Sequence, residues 1–347
     1  MKVALVGFAG SGKTTVFNAL TGLSIHTGPH GEERSPHLGV IKVPDRRVET
    51  LGAMLKVKKI THVEITFMDF PPGKEKQALS LDRVNQMKEA DALAQVVGCF
   101  ASPLSQIPST PLREIRDFQA ELNLTDLAVI ESRLGRLKKE KGHEREKELL
   151  ERCQGFIEQE NPLRLLSLSE EERKALSGFG FLSQKPLLIL LNLGEDDIGK
   201  PLPEEITDYL TKERLEVVPL YGKVEMEVAQ LDEAVRLEFL KELGITESTR
   251  DRFVRSCYTL LELVSFLTHN EQEVRAWSIG KGTSALKAAG KVHSDMERGF
   301  IRAEVVHYND FVKYGSEAKC REAGKLRLEG KDYIVQDGDI IRFRFHV

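Results

Sequence analysis

The residues with the plainest chemistry stand near the start of the chain, where Gly7, Gly12, Lys13 and Thr14 satisfy the spacing Gly-x4-Gly-Lys-Thr. Glycines let consecutive backbone N–H groups curl around phosphate oxygens, and a helix N-terminus behind them adds partial positive charge. A lysine at this place reaches the β and γ phosphates, and the hydroxyl after it can ligate Mg2+. The flanks suit that task. Residues 3–6 are an apolar run of strand type and 15–20 resume with helical spacing, which is the strand-loop-helix context a P-loop requires. A glycine turn at a helix start is the plainer alternative, and the context favours phosphate. The expected nucleotide-binding residues here are Gly7, Gly10, Ser11, Gly12, Lys13, Thr14 and Thr15, with Lys13 and Thr14 the expected catalytic pair.

Two further stretches fit the same chemistry. Residues 63–69 alternate and end in an acid, and in P-loop hydrolases a strand-end Asp supports the Mg2+. Thr14 and Asp69 are therefore the expected metal residues, although an Asp capping the turn before Pro71, Pro72 and Gly73 would read the same way. Further on, Asn192, Leu193, Gly194 and Glu195 follow an apolar run, at the C-terminal end of a strand where ligands of open α/β sheets bind. In GTPases the corresponding stretch is Asn-Lys-x-Asp, whose Asp accepts hydrogen bonds from guanine N1–H and the 2-amino group. Leu193 and Glu195 replace the Lys and the Asp. Adenine has no 2-amino donor, while an Asn amide can pair with its N6 and N7, so Asn192, Leu193 and Glu195 lean towards ATP over GTP.

These residues need a scaffold, and the chain supplies it by alternation. Strand-type runs at 38–44, 63–69 and 92–100 alternate with helical patterns at 45–55 and 81–90, which indicates an α/β doubly wound domain. From about 112 to 176 the composition turns charged and helix-favouring. Leu127, Ile130, Leu134 and Leu137 form one apolar stripe, Leu149, Cys153, Phe156 and Ile157 another, and Lys141, Gly142 and His143 lie between them. That pattern predicts an antiparallel helical hairpin with a solvated charged face. Strand runs return at 186–192 and 216–220, so the hairpin is an insertion, and 250–267 reads as an amphipathic helix that closes the domain. Beyond 276, alternation at 300–306 and 340–347 around a turn at 337–339 predicts a small β-rich domain. The expected division is a nucleotide domain at 1–111 and 181–275, an arm at 112–180 and a C-terminal domain at 276–347.

Bulk properties exclude several classes. The 347 residues carry a net charge of -4, which argues against a protein that coats nucleic acid generally. Across 278–347 there are 13 Lys/Arg against 10 Asp/Glu, a hint of RNA contact. The four cysteines form no CxxC pair, so neither a zinc site nor a disulfide framework is suggested. His26, His30 and His37 are irregularly spaced without a partnering ligand pattern and read as solvent-exposed loop histidines. With no signal-type segment and no apolar run of membrane length, a cytoplasmic location without membrane contact is expected.

In sum of motifs the chain resembles the YchF-type Obg-like ATPase family over nearly its whole length. The resemblance rests on the P-loop with residues 15–21 after it, on Val43-Pro44-Asp45, on Asn192 to Glu195, and above all on 273–277, 297–304 and 322–339, which look like the family's TGS domain. It implies a Ras-like P-loop NTPase sheet with an inserted coiled-coil arm, a β-grasp TGS domain, ATP in preference to GTP, and association with ribosomes. Departures cluster where turnover is controlled. Ala9, Gly10 and Ser11 replace the family's Pro-Asn-Val, Glu33 stands where the first switch has a Mg2+-ligating Thr, and the DxxG motif becomes Asp69-Phe70-Pro71-Pro72 with Gly73 one place late. The DxxG glycine N–H senses the γ-phosphate, and proline has no N–H to offer.

The expected function is accordingly an ATP-binding P-loop protein with slow Mg2+-dependent hydrolysis, associated with the ribosome and acting as a monomer. The alternative is a nucleotide-dependent RNA- or ribosome-binding protein that does not hydrolyse. A P-loop small-molecule kinase is a third reading, opposed by the TGS-like tail and the lack of an Arg-rich lid.

Overall fold

The computed structural model describes residues 1–26, 35–70, 79, 81–100, 110–243 and 248–346. In chain order its first elements are β1 (Lys2–Val6), α1 (Lys13–Thr21), β2 (His37–Lys42), α2 (Arg46–Leu55), β3 (Lys59–Thr61), β4 (Glu64–Asp69), α3 (Leu81–Lys88) and β5 (Ala92–Cys99). There follow α4 (Pro111–Leu137), α5 (Glu144–Glu158), α6 (Glu170–Leu176), β6 (Leu187–Leu193), α7 (Glu204–Lys212), β7 (Glu216–Leu220), α8 (Gly222–Val228), α9 (Glu233–Glu242) and α10 (Thr249–Leu260). The chain divides into two compact units, one of 1–41 and 66–256, the other of 42–65 and 257–347.

The first unit is organised on a six-stranded sheet of order β2-β4-β1-β5-β6-β7. β1 lies parallel to β4 on one side and to β5 on the other, and β5 to β7 continue in parallel. Strand order therefore reverses at β1, the switch point where open α/β sheets bind ligands. β5 and β6 are buried at all but their last residue. Covering on both faces is why they read as continuous apolar runs and not as alternating ones.

The expected hairpin is present, and α4 serves two cores. Its early residues Ile115, Phe118 and Leu122 pack with Leu187, Ile189 and Leu191 of β6. Its later residues Ile130 and Leu137 pack with Leu149, Leu150, Cys153 and Ile157 of α5. At 27 residues the helix is about 40 Å long, enough for both tasks. A buried Asp126 between them accepts hydrogen bonds from the N–H groups of Leu182 and Ser183 at 2.8 and 2.7 Å, fastening the end of the arm to the strand that follows. A boundary at 111/112 thus falls just after the first residue of a helix that both cores share.

The second unit adds β8 (Leu263–His269), β9 (Glu273–Gly280), α11 (Ala285–Val292), α12 (Ser294–Arg298), β10 (Phe300–His307), α13 (Tyr308–Tyr314), α14 (Glu317–Glu322), β11 (Arg327–Glu329) and β12 (Asp339–Phe345). Its sheet has the order β11-β10-β12-β8-β9-β3, over a core that includes Phe266, Ile279, Ala288, Val305 and Phe343. One expectation is corrected here. The helix foreseen over 250–267 ends at Leu260, where Glu262 takes φ +47°, and 263–269 becomes a strand paired along its length with β9. Apolar residues there satisfy both periods, and sheet pairing decides between them. The boundary expected at 275/276 accordingly moves to 256/257.

Residues 42–65 group with 257–347 in one compact unit. β3 pairs in parallel with β9, Ile60 opposite Val274. Asp45 caps α2 by accepting from the Arg47 N–H, and the Arg47 guanidinium bridges Asp45 at 2.8 Å and Asp337 at 2.7 Å. Asp337 in turn accepts from the Ser265 N–H at 2.8 Å. Among the described residues, no helix is long and apolar enough to cross a membrane.

Candidate functional site

The phosphate end grows from the turn between β1 and α1. Gly7, Gly10 and Gly12 take φ of +133°, +84° and +88°, a region costly to other residues. A side chain at Gly7 would also collide with the Val96 carbonyl, and one at Gly12 with the Asn192 amide. Gly12 is the N-cap of α1 and offers no capping side chain, so the first N–H groups of the helix are left for a ligand. Ser11 is buried with an Oγ that has no hydrogen-bond partner, and Thr15 is the third residue of α1.

Lys13 Nζ donates to the carbonyl oxygens of Gly7 at 3.0 Å and Phe8 at 2.8 Å. These bonds hold the ammonium over the loop. Burial pushes it down to about 8, against the attraction of Asp69, and Arg83 adds to the lowering. Asp69, at the end of β4, is fully buried. Its Oδ2 accepts from Thr14 Oγ1 at 2.9 Å, while its Oδ1 has no hydrogen-bond partner. Burial raises the carboxyl above its ordinary value, opposed by Thr14, Lys13 and His37.

This donor set fits a hard divalent cation. Thr14 donates its hydrogen to Asp69 and keeps its oxygen lone pairs for a cation, and the buried Oδ1 lacks a partner that a cation or its water would supply. Among the described residues no cluster of three His, Cys, Asp or Glu could hold a metal alone, and a shell shared with phosphate oxygens and water fits the Thr14 and Asp69 pair. That is the usual arrangement for Mg2+ on a nucleotide.

At the base end, the role expected for Asn192 changes. Its side chain is only 3% exposed. Nδ2 donates to the Ser11 carbonyl at 3.1 Å and Oδ1 accepts from the Gly222 N–H at 3.0 Å. Asn192 is thus a brace tying the P-loop to the start of α8, and a Cβ at Gly222 would stand 2.7 Å from its Oδ1. Leu193 is half-buried, and Glu195 lies at the surface in an ion pair with Lys223 at 2.8 Å. The Phe100 ring packs beside Gly12 and Gly98. A cavity of about 910 Å3 opens beside Leu193, bounded by Cys99, Pro111, Lys200, Pro203 and Ile206. No P-loop residue lines it, so it is not the phosphate site.

The structure thus brings Gly7, Gly10, Ser11, Gly12, Lys13, Thr14 and Asp69 together at the end of β1, with Asn192 bound beneath them. It corrects the reading of His37 as a solvent-exposed loop residue. The side chain is 20% exposed and its Nδ1 lies 3.6 Å from Asp69 Oδ2. Glu33, His30 and Pro71 to Gly73 lie outside the described residues. Residues that the motif reading missed are Arg83, which acts electrostatically on Lys13 and Asp69, and Phe100, Gly222 and Lys223. No local spacing signals them. Only Gly222, in the turn after β7, carried a hint as a glycine at a strand end.

A family model described as a 50S ribosome-binding GTPase matches residues 2–192. A model of the YchF GTPase C-terminal domain, described as a protein of unknown function, matches 263–346. The chain is 37% identical to the ribosome-binding ATPase YchF of Pasteurella multocida, over 100% of this chain and 99% of that protein. It is 36% identical to the protein of the same name from Bacillus subtilis, over the whole of both. The solved structure of the Schizosaccharomyces pombe YchF GTPase superposes with a TM-score of 0.86 at 27% identity, covering 99% of this chain and 97% of that one. The chain belongs to the YchF family.

Proposed function

We propose that this chain binds ATP in preference to GTP, hydrolyses it slowly with Mg2+, and acts on the ribosome. The observation that carries the reading is the convergence of Lys13, Thr14 and Asp69 at the switch point of the sheet. The P-loop amides and Lys13 would hold the phosphate charge, and Thr14 and Asp69 would hold Mg2+. When bound, Mg2+ neutralises charge developing between the β- and γ-phosphates. With charge stabilisation and positioning as the main contributions and no general base assigned, slow turnover is the expectation.

Base preference follows from the other end. Guanine recognition needs a carboxylate free to accept from two adjacent donors. Glu195 is already engaged by Lys223, which blunts that selection. Leu193 offers an apolar wall that suits either purine. The ribosome enters through the relatives, two of which carry the name ribosome-binding ATPase. The arm and the C-terminal unit are the surfaces assigned to it. A monomer in the cytoplasm completes the reading.

The test measures ATP turnover and ribosome co-sedimentation for the wild type and Lys13→Ala. Turnover above the Lys13→Ala background, with co-sedimentation that responds to ATP, is expected. Tight ATP binding with no turnover above that background would transfer the protein to the non-hydrolysing class. Absence of both binding and co-sedimentation would sink the reading.

A further inference from the structure

His37 has no place in the phosphate cradle just described, yet it sits against it. It opens β2, is mostly buried, and places Nδ1 3.6 Å from Asp69 Oδ2. That separation is longer than a direct hydrogen bond, and it sets the imidazole nitrogen beside the carboxylate that holds Thr14. The same Oδ2 accepts the Thr14 hydroxyl hydrogen at 2.9 Å, which leaves the lone pairs of the Thr14 oxygen for a cation. Asp69 Oδ1 is buried beside them without a hydrogen-bond partner. Three elements, α1, β2 and β4, thus deliver a hydroxyl oxygen, an imidazole nitrogen and a carboxylate to one point.

That mixture differs from what a magnesium site asks for. Mg2+ is hard and takes oxygen ligands, usually keeping several waters. Mn2+ accepts the oxygen ligands that Mg2+ takes but, as a transition-metal ion, binds an imidazole nitrogen more readily, so one nitrogen in a shell otherwise of oxygen shifts the balance towards it. We propose that His37 is a direct ligand of the nucleotide's divalent cation and makes this site select Mn2+ over Mg2+. The inference rests on the reading of the P-loop as a triphosphate site and adds the residue that sets its metal preference. In this arrangement Thr14 and His37 contact the ion, and Asp69 accepts from Thr14 and from water on the ion.

The experiment loads the full chain with Mn2+ and a non-hydrolysable ATP analogue and records pulsed EPR of the Mn2+. Coupling to a directly bound 14N is expected in the wild type and its loss in His37→Asn. In parallel, titration calorimetry gives the ratio of Mn2+ to Mg2+ affinity in the analogue complex. The ratio is expected to fall ~10-fold in His37→Asn, the low end of the ~10–100-fold that loss of a mere outer-shell partner costs a metal site. If His37→Asn does not fold, the wild-type spectrum decides alone. Analogue bound with Mn2+ but without nitrogen coupling overturns the assignment of His37 and leaves the ATP site standing. Failure of the analogue to bind with either metal overturns both.

Discussion

The two ends of the nucleotide site are built in different ways. The phosphate end is one contiguous loop, with glycines in conformations that few other residues adopt, a buried Ser11 hydroxyl and a buried Asp69 oxygen lacking partners, and a lysine held by loop carbonyls. The base end is assembled from separate loops, and its one buried polar residue, Asn192, is already bound at both ends of its amide. What remains there for a base is Leu193 and the exposed Glu195–Lys223 pair. Charge and backbone donors in a preorganised pocket give affinity, whereas an exposed ion pair gives little discrimination. The site should therefore hold triphosphates firmly and choose between purines weakly.

Lys13→Ala attacks the strong end and should have the largest effect. Removing one partner of a charge pair in a confined site costs about 2–5 kcal/mol, so ATP affinity by calorimetry should fall at least ~30-fold. If it falls no more than twofold, the phosphate end is not the anchor.

Asn192→Ala tests whether the base end is braced or read. It leaves the Ser11 carbonyl and the Gly222 N–H unpaired, each at about 1–3 kcal/mol when buried. The denaturant midpoint should drop and ATP and GTP affinities should weaken together. An altered ATP-to-GTP ratio at unchanged stability would show instead that the amide contacts the base.

Acidity gives a probe of the phosphate end without mutation. The Lys13 ammonium of the free protein loses its proton near pH 8, and phosphate oxygens beside it would raise that value. Binding should then take up a proton above about pH 8, and affinity should fall as pH rises through that window, by up to ~10-fold per unit. Calorimetry in buffers of different ionisation enthalpy measures the uptake. Proton release, or no exchange at pH 9, would contradict the placement of Lys13. The same shift has a stability consequence: between about 8 and the ordinary lysine value the unfolded chain binds more protons, so the cost of burying this group shrinks as pH rises.

The smallest effect belongs to Lys223→Met. It frees Glu195 to accept from guanine, and because the pair is exposed the gain in GTP affinity should be only ~2–5-fold. Competition between labelled ATP and GTP reads it, and a gain beyond ~50-fold would make Lys223 the principal determinant of base choice.

Much of this was legible before the fold. Gly7, Gly12, Lys13 and Thr14 announce phosphate because the loop is local, and local spacing is what a sequence displays. β5 and β6 were legible as continuous apolar runs and the arm as two stripes about a glycine turn, since hydrophobic period reports burial directly. Asp69 could be proposed because it ends a strand whose alternation is visible. His37 was misread because nothing in its neighbours along the chain shows that β2 will carry it to Asp69. The grouping of 42–65 with the C-terminal unit was illegible for the same reason, since its partner strand β9 lies some 200 residues further along the chain.

By itself, then, the sequence determined the P-loop class, the α/β and β-rich halves, and the residues that gather at the end of β1, all of them consequences of spacing within one element or one loop. Tertiary structure alone decided that the Asn192 amide is bonded to the Ser11 carbonyl and the Gly222 N–H, that Lys223 pairs with Glu195, and that His37 stands 3.6 Å from Asp69. Those are meetings between residues far apart in the chain, set by strand order in the sheet and by which strand ends it brings together.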